Sequence, residues 1–179
     1  MNVNIDVMKK ITQEFKDLEK NPIAEVGVSV GLVNEHNIFV WKCTLMGPND
    51  SIYSGGLFYL IIKFPEDYPK KPPEVCFETP IYHVNINPRK SGSESLGHVC
   101  ISTLNWWNEK TKMREVLTNI FGLFYMHNPD SPYGLDRAEE YKTKRELYDE
   151  KARFFTKKYA DIKLDKRIVF DEKWDFTYP

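Results

Sequence analysis

The chain has 179 residues, 25 Lys and Arg against 26 Asp and Glu, and a formal net charge of -1. That length suits one domain with a real core, and the balanced charge excludes a global pull toward nucleic acid or an anionic membrane surface. The longest apolar runs, residues 57–62 and 120–126, are far too short to span a bilayer. Residues 1–10 mix Asn, Asp and Lys where a signal peptide would be apolar. A soluble protein inside the cell, cytoplasmic or nuclear or both, is therefore expected.

Val7, Ile11, Phe15 and Leu18 recur at helical spacing, with Asp6 as a cap and Asn21-Pro22 as the stop. Lys9, Lys10, Gln13, Glu14 and Lys16 read as the solvated face of this helix. The period then becomes two. Val26, Val28, Val30 and Leu32 form one alternating set; Phe39, Trp41, Cys43 and Leu45 a second; Phe58, Leu60, Ile62 and Phe64 a third. The short turns between them predict an antiparallel meander, with a short fourth strand near Val75, Cys76 and Phe77.

Four prolines in the nine positions 65–73 forbid a helix and imply a rigid surface loop. Helical spacing returns with Met113, Val116, Leu117, Ile120 and Phe124, and Asn128-Pro129 is expected to end that run. A short helix near residues 136–141 and a longer one carrying Tyr148, Ala152, Phe155 and Tyr159 complete the pattern. The fold class expected is α+β: an N-terminal helix, a four-stranded antiparallel meander, long proline-rich and active-site loops, a central helix and two C-terminal helices. Residues 1–160 read as the core domain and 161–179 as an extension. Ile168, Val169, Phe170, Trp174 and Phe176 in that extension favour docking in cis, because exposed aromatics are costly to leave in water.

There are three cysteines, Cys43, Cys76 and Cys100, with no CxxC pair. An odd number without that spacing argues against a disulfide framework and a zinc site. Cys43 and Cys76 read as small core residues on strands, where a thiol is inert. Cys100 follows a loop of Ser and Gly and stands between the turn Tyr82-His83-Val84-Asn85-Ile86 and the pair Trp106-Trp107. It is the candidate reactive thiol. A papain-type hydrolase would need a His/Asn pair after the cysteine and far from it, whereas His83 and Asn85 precede Cys100 and nearly touch in sequence.

An ordered series of motifs resembles the ubiquitin-conjugating enzyme family across roughly residues 8–160. It comprises Trp41; Met46-Gly47-Pro48-Asn49-Asp50-Ser51; Tyr53 with Gly55-Gly56; Phe64-Pro65 with Asp67-Tyr68-Pro69; Pro72-Pro73; Tyr82-His83-Val84-Asn85-Ile86; Gly97-His98-Val99-Cys100-Ile101; Trp107; and Asn128-Pro129-Asp130-Ser131-Pro132. The series is specific although no single member of it is.

The resemblance implies that Cys100 accepts the C-terminal glycine of ubiquitin, or of a ubiquitin-like modifier, from an activating enzyme as a thioester. It further implies transfer to a substrate lysine or a ligase of RING or HECT type. No cofactor or metal is implied, ATP being consumed upstream, and a monomer is expected. Asn85 matches the family's asparagine, which either stabilises the oxyanion or organises the loop through backbone bonds. His83 reads as a ring pinning the turn and Tyr82 as packing beneath it. His98 reads as a solvent-facing loop residue. Lys9 and Lys10 match the basic end of the first helix, where the activating enzyme binds.

The sequence also departs from the family pattern. Val84 replaces a usual proline, so the turn is expected to be less rigid. Fifteen positions separate Asn85 from Cys100, more than is usual, and the excess falls in residues 88–96, expected as a mobile flap. Ser131 and Ser102 stand where acids are common, with Asp130 nearby, leaving intrinsic lysine reactivity open. Lys70 and Glu109 occupy ligase-facing positions that are often apolar or proline, and Thr118 and Gly122 lie on the helix that would hold a folded-back modifier. A family member that binds ubiquitin or a ligase without transfer is the alternative.

Overall fold

The structure, a computed structural model, describes residues 5–23, 27–90, 95–99, 107–164 and 174–179. Helix α1 (Ile5–Lys20) buries Val7, Ile11, Phe15 and Leu18 as one stripe. It begins at Ile5, so Asp6 lies inside the first turn, where its charge suits the helix dipole, and is not the cap. Glu14 corrects the reading of a wholly solvated opposite face. Its Oε1 accepts the Tyr68 hydroxyl at 2.6 Å, and its Oε2 accepts the Met113 backbone N–H at 2.6 Å. Met113 opens α2 (Met113–Gly122), whose preceding residue Lys112 provides no side-chain cap. A carboxylate from α1 thus satisfies an orphan N–H at another helix's positive end.

Four strands form one antiparallel sheet in the order β1-β2-β3-β4: β1 (Val28–Leu32), β2 (Val40–Met46), β3 (Leu57–Lys63) and β4 (Glu74–Phe77). The register pairs Trp41 with Ile62, Cys43 with Leu60 and Leu45 with Phe58. These six side chains are fully buried, as the two-residue period requires for one covered face. Trp41 meets Phe15 of α1 at 5.3 Å between ring centroids, and Phe58 meets Phe124 at 5.3 Å. Cys76 lies on the opposite, half-covered face with Glu74, so it is not the core thiol that its apolar neighbours suggested.

Helix α2 stops at Gly122, not at Asn128. Leu123 and Phe124 donate to the carbonyls three residues back, Ile120 and Phe121. Phe124 stays buried all the same. Apolar spacing alone does not distinguish such tight turns from continued helix. Helix α3 (Leu135–Thr143) and helix α4 (Arg145–Tyr159) follow, and α4 buries Tyr148, Ala152 and Phe155.

Residues 174–179 dock in cis on α4. Trp174 is buried, and Phe176 lies 4.9 Å from Phe155 between ring centroids. Tyr178 meets Phe154 at 5.4 Å, and Lys158 pairs with Asp175 at 3.5 Å. Ile168, Val169 and Phe170 lie outside the described residues. No described helix is long and apolar enough to cross a membrane.

Candidate active site

The segment 81–87 is buried at every position and reached from four directions. Tyr53 donates its hydroxyl to the Tyr82 carbonyl at 2.9 Å. His83 is fully buried; its Nδ1 accepts the Asn85 N–H at 3.0 Å, so Nε2 carries the ring proton and donates to the Leu123 carbonyl at 2.9 Å. Burial, reinforced by the neighbouring His127, pushes the His83 pKa well below its ordinary value. A neutral ring with both nitrogens engaged pins the turn and has no lone pair left for a base.

Val84 corrects the expectation of a looser turn. Proline would lack an N–H at this position, whereas the Val84 N–H donates to the Tyr148 hydroxyl at 3.1 Å, and the Val84 carbonyl accepts the Tyr133 N–H at 2.9 Å. The freedom gained by losing the ring is removed by a buried hydrogen bond from α4. Tyr82 also departs from expectation. Its ring does not sit beneath His83 but turns toward α3, α4 and the tail, at 5.3 Å from Tyr148, 5.5 Å from Phe155 and 5.6 Å from Phe176. Its hydroxyl donates to Glu140 at 2.7 Å.

Asn85 is 1% exposed, and its carboxamide is fully occupied by the loop after α2. Nδ2 donates to the carbonyls of Asn128 at 2.8 Å and Ser131 at 3.0 Å, while Oδ1 accepts the Asn128 N–H at 2.9 Å. Asp130 is exposed on the same loop and pairs with Lys142 at 2.6 Å.

The neighbouring His127 lies 4.2 Å from His83, nearly parallel to it, and 5.0 Å from Tyr141. The single Tyr53 hydroxyl proton goes to Tyr82, so His127 Nε2, 3.0 Å away, is the donor in that contact. His127 Nδ1 is buried and has no hydrogen-bond partner within 3.5 Å among the described residues. Burial, then Arg145, lowers the His127 pKa to about 4.

The segment 95–99, which leads to residue 100, enters beside this turn. Val99 bridges Ile86 in antiparallel fashion and donates its N–H to the Val75 carbonyl at 3.0 Å. Asn87 and Gly97 close the base of the long loop: Gly97 N donates to Asn87 O and Asn87 N to His98 O, both at 2.9 Å. Gly97 has φ +75, and a Cβ there would stand 1.9 Å from the Phe77 carbonyl oxygen, so only glycine fits. His98 is not solvent-facing. It is half-buried, bridges Cys76 through backbone, and sets Nδ1 against the Tyr133 hydroxyl. Residues 91–94, which carry the middle of the expected flap, and residues 100–106, which include Cys100 and Ser102, lie outside the described residues.

Of the other thiols, Cys43 is fully buried and its pKa is pushed up to about 12 by burial. Cys76 is likewise raised to about 12, by burial and then by Glu74. Neither is activated. Among the described residues, no group of three or more His, Cys, Asp or Glu could hold a metal ion.

The partner-facing positions are surface residues. Lys9 is exposed and Lys10 half-exposed, the latter 3.7 Å from Glu14. Lys70 and Glu109 are exposed on two loops that Trp107 joins, its indole N–H donating to the Pro69 carbonyl at 2.8 Å. Thr118 is exposed on α2 and caps back onto the Arg114 carbonyl.

Residues 10–156 match the family model of the ubiquitin-conjugating enzyme. The chain belongs to the ubiquitin-conjugating enzyme family. The meander, the buried His83/Asn85 turn and the Gly97-containing approach to position 100 are then this member's version of the family scaffold. Arg137, Tyr148, His127 and Phe176 did not stand out in the sequence. Each looked like an ordinary helix, core or tail residue, and only the fold brings them to one turn.

Proposed function

We propose that this member is an active conjugating enzyme carrying ubiquitin on Cys100. The observation that supports it is the placement of Val99. The residue preceding Cys100 is bridged to Ile86, the residue following Asn85, so chain connectivity keeps the thiol-bearing residue within about 3.8 Å, Cα to Cα, of that bridge. In the proposed reaction the Cys100 thiolate attacks the thioester carbonyl on the activating enzyme, and the activating enzyme's thiolate leaves. A substrate lysine amine, or a ligase cysteine, then attacks the new thioester. The C–S bond breaks, Cys100 leaves as thiolate, and in the lysine case the amine loses a proton as the isopeptide forms. ATP is used upstream, and no cofactor enters these steps.

Asn85 contributes in this reading by tying the loop at 128–131 to the turn. Both Nδ2 protons are engaged with carbonyls, so donation to an oxyanion requires one of those bonds to open. Tyr82 and His83 support the turn, and Asp130 and Ser131 border the approach of the lysine. Lys9 and Lys10 face the activating enzyme, and Lys70 and Glu109 face a ligase of RING or HECT type. Charges at positions 70 and 109 disfavour apolar anchoring, so stimulation by promiscuous RING ligases is expected to be poor. The setting is the cytoplasm, the nucleus or both, as a monomer.

Incubation with ATP, activating enzyme and a panel of modifiers, followed by non-reducing gels, tests this. A thiol-sensitive adduct is expected with ubiquitin, and Cys100→Ser converts it to a thiol-resistant ester. An adduct formed only with a ubiquitin-like protein reassigns the modifier. No adduct with any modifier overturns the enzyme reading in favour of a binding module.

A further inference from the structure

Arg137 is a cation in a place where cations are expensive. It sits on α3, 6% exposed, and takes part in no ion pair among the described residues. Its guanidinium carbon lies 4.3 Å from the centroid of Tyr82 and 4.5 Å from that of Phe176. The group is held between one ring from the turn and one ring from the C-terminal tail. Its Nη1 donates to the His83 carbonyl at 3.4 Å. An unpaired buried charge is strongly unfavourable, and two aromatic faces are the compensation available here, each contributing more in a desolvated site than at a surface.

The two rings do not belong to the same part of the chain. Tyr82 precedes His83 directly, while Phe176 arrives from the far end and packs also on Phe155 and Tyr159. Trp174, at 5.9 Å from Phe176, and the Lys158–Asp175 pair fasten the segment on either side of it. The other bonds to the turn come from the core: Tyr53 to Tyr82, Leu123 to His83, Tyr148 and Tyr133 to Val84. The Arg137 contact and the direct packing of the Tyr82 ring on Phe176, at 5.6 Å between centroids, are the ones that depend on the tail. Without Phe176, one face of the guanidinium meets water, and rotation outward becomes its cheapest relief. That rotation would release the His83 carbonyl and uncover the Tyr82 ring.

We propose that the tail segment 174–179 is a positioning element for the transfer reaction, with Phe176 holding Arg137 and Arg137 holding the turn that carries Asn85. The inference rests on the reading of Cys100 as the thioester carrier. Phe176 and Arg137 touch no reacting atom; they act by fixing the backbone beside the thioester, where a small displacement of the attack geometry costs rate. The tail thereby becomes part of the catalytic unit although it lies beyond the residues that match the family model.

The test uses the full-length chain, Phe176→Ala, Phe176→Leu, Phe176→Trp, Arg137→Lys and a chain ending at residue 173. Thioester charging and single-turnover discharge onto free lysine are measured separately, at a temperature where every variant is folded by circular dichroism. Charging is expected to stay close to wild type, while discharge falls about tenfold in Phe176→Ala, Arg137→Lys and the truncated chain. Phe176→Trp restores discharge and Phe176→Leu does not, since leucine fills space but offers no π face. Discharge at the wild-type rate in the truncated chain overturns the proposal, as does full rescue by leucine or a parallel loss of charging and discharge. If the wild-type chain itself forms no thioester, the Cys100 reading fails, and the inference falls with it. Charging with unaffected discharge fails the tail alone.

Discussion

Replacing Asn85 by alanine removes the three hydrogen bonds that join the turn at 82–87 to the loop at 128–131. A net contribution of about 1 kcal/mol per bond gives about 3 kcal/mol as a ceiling. Asn128 is exposed, so water can re-satisfy its N–H and carbonyl, and the expected loss is nearer 2 kcal/mol. For a chain of this size that corresponds to a melting temperature lower by about 4–8 °C. Asn85→Asp sharpens the test. It keeps an acceptor for the Asn128 N–H but turns the donor end into an oxygen facing two carbonyls, so aspartate should be at least as destabilising as alanine. Urea and thermal unfolding of both variants measure this. If both match wild-type stability, the carboxamide does not hold the loop, and its partners here have been misjudged. If stability falls as stated while lysine discharge survives in Asn85→Ala, oxyanion donation by this amide is excluded.

Tyr148→Phe deletes the buried acceptor for the Val84 N–H and should cost about 1–3 kcal/mol through an orphaned donor; a denaturation midpoint unchanged from wild type would contradict the claim that this bond replaces proline's stiffness. His127 titrates near 4 in the fold against an ordinary value of 6.5. Above pH 6.5 both folded and unfolded states hold it neutral; as pH falls toward 4 the unfolded state binds the proton first, so stability is lost across that window, by ~3 kcal/mol in all. His83 pushes in the same direction, and His127→Gln should flatten the slope of stability against pH between 6.5 and 4. Gly97→Ala places a Cβ 1.9 Å from the Phe77 carbonyl oxygen at φ +75; poor folding or a large loss of thermal stability is expected, and a well-folded variant charging normally would show that the approach segment can shift. Burial raises the pKa of both Cys43 and Cys76 to about 12, but Cys76 is half-exposed and Cys43 is not. Alkylation followed by peptide mapping should modify Cys76 before Cys43, and the reverse order would displace the sheet face assigned to each.

The strands were legible because a sheet covered on one face imposes a strict two-residue period, and Trp41, Cys43 and Leu45 obey it. Cys76 was misassigned from its apolar neighbours, against the same rule. Val75 and Phe77 on either side hold the buried face, and alternation therefore places the residue between them on the other side. Helix α2 was overextended since Phe124 continues the apolar spacing through turns that no longer bond four residues back. The site was legible as a set of motifs, and the reading of His83 as a ring pinning the turn is in keeping with its two buried hydrogen bonds. Its framework was not legible. Tyr148 and Arg137 reach the turn from 64 and 54 positions away in sequence, and a buried arginine on a short, charged helix carries no sequence sign of its two ring partners. Glu14 was hidden for the same reason: on a helical wheel it belongs to the polar face, and its partner N–H is 99 positions away.

Glu14 has one further consequence. A single carboxylate fastens the first helix to the proline-rich loop through Tyr68 and to the start of α2 through Met113. One side chain thus clasps three separate stretches of the chain, and its loss would unfasten both contacts at once.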